Sequence, residues 1–334
     1  MPQYKFEAFG VLPSSPGALL GIELEYEGTK SSPRYLRESY PKIFEWWVIG
    51  SDGSLRGEDA CEIRSSVPMS VAHVEYCLPQ LLELSSKWQV NKRTGLHVHL
   101  DVGHMTQDNL VKLLCLYGLL EPAVFTAAGD ERSANPFSVP WYKDAYASKL
   151  VATICGGGDA VWNSINLGGK YSALNFRPIL EYGTVEFRHM KNTHNVSHIF
   201  GWISMILHMR NAAMSKEFGE VFANTLETRN YRRLLAWVYG GDGNIWGRLL
   251  YPDLEEEIDI LTWELAREYY YAVLPNTFLK LVNKKRRARK PKPNIFGIDV
   301  EEVQRALDNR EADLRQAQFE PMPPEFDDVA NGGN

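Results

Sequence analysis

A chain of 334 residues, 44% hydrophobic and 23% charged, has ample apolar material for a full core and falls outside the disordered and fibrous classes. Its formal net charge of -6 argues against wholesale binding to phosphate backbones, which requires a basic excess. The four cysteines, Cys61, Cys77, Cys115 and Cys155, are widely spaced with no CxxC pair and read as buried reduced thiols, which suits a cytosol.

Taken in chain order, Met1 to Gly10 carries Lys5, Glu7 and two aromatics where a signal peptide would have a basic head and an apolar run, so none is expected. Gly21 to Glu27 alternates strictly, with Ile22, Leu24 and Tyr26 on one face of a strand and Glu23, Glu25 and Glu27 on the other. Cys61 to Ser65 is a shorter candidate strand, and residues near 71 to 88 have helical spacing. Gly95 to Asp101 repeats the alternation with His97 and His99 as its polar members. Thr106 is placed to cap a helix from Gln107 to about Ala128, with Leu110, Leu113, Leu114, Tyr117 and Leu120 at helical spacing. Lys112, Glu121 and Pro122 interrupt that apolar stretch, so it reads as a buried helix and not a membrane span.

Ala173 to Arg177 is another short strand candidate, and Thr184 to Arg188 turns Val185 and Phe187 inward and Glu186 and Arg188 outward. Further helices are expected near 195–213, 228–239, 254–271 and 300–318. Lys284 to Lys292 reads as an exposed basic loop and Glu320 to Asn334 as a tail. Strands and helices do not alternate as βαβ units. The expected class is therefore α+β: a mostly antiparallel sheet with helices on one face and a polar second face. One catalytic domain is expected over 1–275, with a basic loop, a helix and a tail over 276–334.

The polar positions of these strands carry the chemistry. A solvated sheet face usually presents Thr, Ser, Lys and Arg. Here it presents Glu23, Glu25, Glu62, His97, His99 and Glu186. Like charges side by side on one face cost energy unless a cation lies between them. Carboxylates outnumber imidazoles and no cysteine joins them, which points to magnesium or manganese before zinc. Such ions commonly bridge nucleotide phosphates, yet Gly156-Gly157-Gly158 is followed by Asp159-Ala160, so a Walker loop is absent.

In order, Gly21-Ile22-Glu23-Leu24-Glu25, Asp52-Gly53-Ser54-Leu55, Cys61-Glu62-Ile63-Arg64-Ser65, Thr94-Gly95-Leu96-His97-Val98-His99-Leu100 and Thr184-Val185-Glu186-Phe187-Arg188 resemble the amidoligase family. That family belongs to the carboxylate-amine ligase group with glutamine synthetase and glutamate-cysteine ligase, and the resemblance spans residues 18–212. It implies a curved antiparallel sheet of the glutamine synthetase catalytic type, whose concave face binds ATP and two or three Mg2+ or Mn2+ ions. Glu23, Glu25, Glu62 and Glu186 then match metal ligands, and one of His97 and His99 matches a histidine contacting metal or nucleotide. Arg188 matches an arginine facing phosphate or substrate carboxylate, and Arg132 an arginine near the transferring phosphate. A general base would come from the remaining carboxylates, Asp52 among them.

The resemblance also implies a cytoplasmic enzyme of a bacterium or its phage, acting on a small-molecule or peptide carboxylate and amine. Nucleic-acid contact through Lys284 to Lys292 is a less favoured alternative to a solvated loop. Two other classes compete. A metal-dependent hydrolase could use the His-x-His strand, drawing further ligands from His189, His194 and His198. A non-catalytic binding or structural protein could use the same fold.

Overall fold

The computed structural model describes residues 15, 17–57, 59–129, 132, 134–141, 169–228 and 230–240. The chain divides into two compact units, Met1–Leu279 and Lys280–Asn334, and all the described residues belong to the first. Cys155, the Gly156 to Gly158 segment, the expected helices over 254–271 and 300–318, the basic run Lys284 to Lys292 and the tail lie outside the described residues.

Seven strands form one sheet among the described residues: β1 (Leu19–Tyr26), β2 (Trp47–Gly50), β3 (Cys61–Ser65), β4 (Met69–Ser70), β5 (Gly95–Asp101), β6 (Leu174–Asn175) and β7 (Thr184–Lys191). The order is β2-β3-β1-β5-β7-β6, with β4 pairing the start of β1. All these pairings are antiparallel. The α+β, mostly antiparallel architecture expected from the alternation is therefore present.

The helices are α1 (Pro33–Ser39), α2 (Val71–Leu84), α3 (Gln107–Ala128), α4 (Pro178–Tyr182), α5 (Val196–Met214), α6 (Phe218–Thr228) and α7 (Tyr231–Tyr239). Local chemistry fixes where several begin. The side chains of Ser32, Ser70, Thr106 and Asn195 accept from the backbone N–H three residues on, capping α1, α2, α3 and α5. Pro178 at the head of α4 stops β6 after two residues, because proline fits a first helical turn and cannot donate to a sheet ladder. Periodicity did not isolate α6, which precedes α7 and is separate from it.

The core lies between one sheet face and the helices. Leu20, Ile22, Leu24, Leu96, Val98, Leu100, Val185 and Phe187 are all fully buried on that face. Each such side chain contributes roughly 1.5–3 kcal/mol. α5 is buried almost all round, and α3 packs against α5 and β7. α3 is long and apolar enough to cross a membrane by composition, but most of it is buried in this core. Cys61, Cys77 and Cys115 are buried.

Candidate metal and anion site

Strand pairing arranges the polar face in three rungs. Gly50, Glu62 and Glu25 stand opposite one another across β2, β3 and β1. Val48, Arg64, Glu23 and His97 form the next rung across β2, β3, β1 and β5. Gly21, His99, Glu186 and Asn175 form the third, across β1, β5, β7 and β6. Residues paired across a ladder share a face, so these registers bring side chains far apart in sequence onto one surface.

Two groups of ligand atoms converge there. Glu23, His99 and Glu186 form one, and Glu25, Asp52 and Glu62 the other; within each, the ligand atoms lie within 4.8 Å of one another. His97 lies between them, with Nδ1 3.2 Å from Glu23 and 3.3 Å from Glu186, and Nε2 3.8 Å from Glu25. Of the two imidazoles, His99 is therefore the member of a ligand group, while His97 links the two. Asp52, expected as one candidate for the general base, stands in the second ligand group. Its Oδ1 accepts from the Ser54 backbone N–H at 2.7 Å and from the Ser54 hydroxyl, which shapes the Asp-Gly-Ser turn.

The electrostatics are those of crowded carboxylates and imidazoles. Burial acts to raise the Glu23 pKa, but the His97 and His99 imidazoles hold its carboxyl well below the usual range. Burial works against a charged His99 ring, yet hydrogen bonding and charge from Glu23, with the charge of Glu186, raise its pKa. Glu62 is pushed up to about 7 by burial and by the negative charges of Glu23 and Asp52. The buried Nε2 of His99 lies 3.2 Å from Glu23 Oε1. Five carboxylates with two imidazoles make an oxygen-rich set, which fits magnesium or manganese.

Neighbouring residues hold the ligands in place. Gly95 N–H donates to Glu25 Oε2 at 2.5 Å, and the Asn175 amide donates to Glu186 Oε2 at 2.6 Å. Thr184 Oγ1 lies 3.1 Å from His99 Nδ1, leaving Nε2 for the cluster. A Cβ at Gly95 would lie 2.6 Å from His97 Nε2, so only glycine admits this approach. The sequence reading assigned no role to Asn175, Thr184 or Gly95. The one available signal was a polar Asn175 inside the otherwise apolar run Ala173 to Phe176.

Glu27, counted with the polar-face glutamates, belongs to neither ligand group: its carboxylate accepts from Arg93, Asn91 and the Arg56 N–H. Arg132 is buried, and its guanidinium donates to the carbonyls of His189 at 2.6 Å, Arg188 at 3.2 Å and Lys92 at 3.3 Å. These bonds tie it to the backbone of β7 and to Lys92; Asp130, Glu131 and Ser133 around it lie outside the described residues. Arg188 does reach the polar face, donating to Glu186 and to the Phe137 carbonyl, with one nitrogen 3.5 Å from His97 Nδ1.

The register between β5 and β7 slips at Leu96/Val98, so Arg188 and His189 together stand opposite His97. His189 continues the inward side of β7 set by Val185 and Phe187, and in the core its Nε2 lies 2.7 Å from the Tyr117 hydroxyl and its ring packs near Trp202. His194 Nε2 meets the Trp88 carbonyl at 3.1 Å, and His198 lies in α5. None of the three joins a ligand group among the described residues.

Compared with known proteins, the chain matches no family model and no curated protein.

Proposed function

We propose that this protein is an ATP-dependent carboxylate-amine ligase, built on a sheet of the glutamine synthetase catalytic type, that forms an amide or peptide-like bond through an acyl phosphate. The observation that carries the reading is the pair of three-ligand groups on one antiparallel sheet face, with Arg188 beside them. The hydrolase alternative is less well supported, because His189 is committed to the core and His194 to a backbone carbonyl.

In this reading Glu23, His99 and Glu186 hold one Mg2+ or Mn2+ ion and Glu25, Asp52 and Glu62 a second. The ions would neutralise nucleotide phosphates. Hydroxide is a poor leaving group, so a carboxylate must be activated before an amine can displace its oxygen. A substrate carboxylate oxygen attacks the γ-phosphorus of ATP, the bond to the bridging oxygen breaks, and ADP leaves. The amine nitrogen then attacks the acyl carbon and gives up a proton, and phosphate departs with the carbon–oxygen bond. Arg188, fixed by Glu186 and the Phe137 carbonyl, is positioned to stabilise charge on the transferred group. The substrates would be a small-molecule or peptide carboxylate and an amine, in the cytoplasm of a bacterium or phage-infected cell.

The test is interception. With ATP, Mg2+ and a panel of carboxylates, hydroxylamine should yield a hydroxamate in amounts matching the phosphate released. Nucleotide-independent turnover with zinc, or release of AMP and pyrophosphate, would overturn the proposal.

A further inference from the structure

Arg64 occupies the middle rung of the polar face, opposite Glu23 on β1 and opposite Val48 on the edge strand β2. It differs from the other cation of the face. The Arg188 side chain is only 12% exposed and is tied to Glu186 and the Phe137 carbonyl. The Arg64 side chain is 57% exposed, and the ion pair it makes, with Glu62, is a long one at 3.7 Å. A guanidinium carries five N–H donors in a planar fork, so most of this fork remains directed at solvent.

Among the described residues Arg64 makes no second ion pair. Glu23 is engaged by His97 and His99 at 3.2 Å each. On the β2 side the rung ends in Val48, and the next rung ends in Gly50, where an added Cβ would meet nothing within 4 Å. The face is therefore low and open beside Arg64. Tyr182, at the end of α4, is 64% exposed.

We propose that Arg64 is the binding cation for an oxyanion of the substrate, a carboxylate or phosphoryl group, entering over β2 toward the two ligand groups; which molecule carries that oxyanion rests on the ligase reading. The geometry suits a fork that grips two oxygens while the ligand groups lie on either side: Glu62 on its own strand and Glu23 across the ladder. This divides the work of the two arginines. Arg188 is locked inward to serve the reacting group, and Arg64 recognises the incoming anion.

The experiment measures binding without turnover. The intact protein, Arg64→Gln and Arg64→Lys are titrated calorimetrically with Mg2+ alone, then in Mg2+ with succinate as the carboxylate probe and with the non-hydrolysable nucleotide AMP-PNP as the phosphoryl probe. Arg64→Gln should weaken one of the two anions by about tenfold or more, the loss expected for a charge-assisted hydrogen bond. Arg64→Lys should recover part of it, since the charge stays and the fork is lost. Loss on the succinate arm assigns the subsite to the carboxylate substrate, and loss on the AMP-PNP arm to the nucleotide. If Arg64 merely compensates its neighbours, Arg64→Gln will bind both anions as the parent does and bind Mg2+ more tightly. That result overturns the proposal, as does failure of the parent protein to bind either anion. Because no chemistry is required, these outcomes are separate from the hydroxamate result that decides the ligase reading.

Discussion

Glu23 and His99, diagonal neighbours across β1 and β5, bring Oε1 within 3.2 Å of Nε2, and Glu186 joins them in one group of ligand atoms. The same arrangement recurs as crowded carboxylates one rung away, where Glu25, Asp52 and Glu62 converge. Manganese titration should accordingly reveal two classes of bound ion. Glu186→Gln is expected to remove one and Glu62→Gln the other, with circular dichroism unchanged. Asn175→Ala, which only removes the amide holding Glu186, should weaken the first class by roughly 10–100-fold. Retention of both classes in both ligand variants would mean that the groups do not hold metal.

Glu62 is destabilising without an ion. Burial and its like-charged neighbours push it up to about 7. Between its ordinary value and about 7, the folded protein holds a proton that the unfolded chain has released, so stability falls as pH rises through that window. At pH 8 the metal-free Glu62→Gln variant should therefore melt at a higher temperature than the parent. It should also gain less on adding Mg2+, since ligand binding stabilises only the form that binds it. A lower melting temperature for the metal-free variant would contradict the charge argument.

The two arginines of the β7 region should separate cleanly under mutation. Arg132→Met leaves buried carbonyls of His189 and Arg188 without a donor, at roughly 1–3 kcal/mol for each orphaned group. Denaturant melts should show that loss. Arg188→Ala should cost little stability but suppress both hydroxamate formation and the full reaction, by around 10²-fold or more if it stabilises the transferred group. Equal effects on stability and turnover for both variants would show that Arg188, too, is only structural.

His189 predicts an acid limit to stability. Burial, with Arg132 nearby, holds its imidazole well below the ordinary value, so it stays neutral in the folded state. Below about pH 6.5 the unfolded chain takes up a proton that the fold refuses, so this contribution is full above about 6.5 and is lost as pH falls. Comparing melting temperatures of parent and His189→Gln from pH 7 to 5 isolates it, because the opposing slope from Glu62 is common to both. Identical slopes would show that His189 accepts a proton in place.

What the sequence determined by itself was everything set by local period and local chemistry. Alternation in Gly21 to Glu27, Gly95 to Asp101 and Thr184 to Arg188 gave both the antiparallel sheet and the side on which its carboxylates and imidazoles lie. Thr106 marked the start of α3 because a cap acts over three residues. Tertiary structure alone decided which polar residues meet, since a register joins residues as distant in sequence as Gly95 and Lys191. The slip between β5 and β7 sets Arg188 and His189 together against His97, which alternation along a single strand cannot show. Glu27 shares the residue type and the strand face of Glu23 and Glu25, and Arg132 is the arginine that the resemblance places near the transferring phosphate. Their partners, Arg93 for the one and the carbonyls of β7 for the other, come from distant segments, so only the folded packing gives them structural tasks.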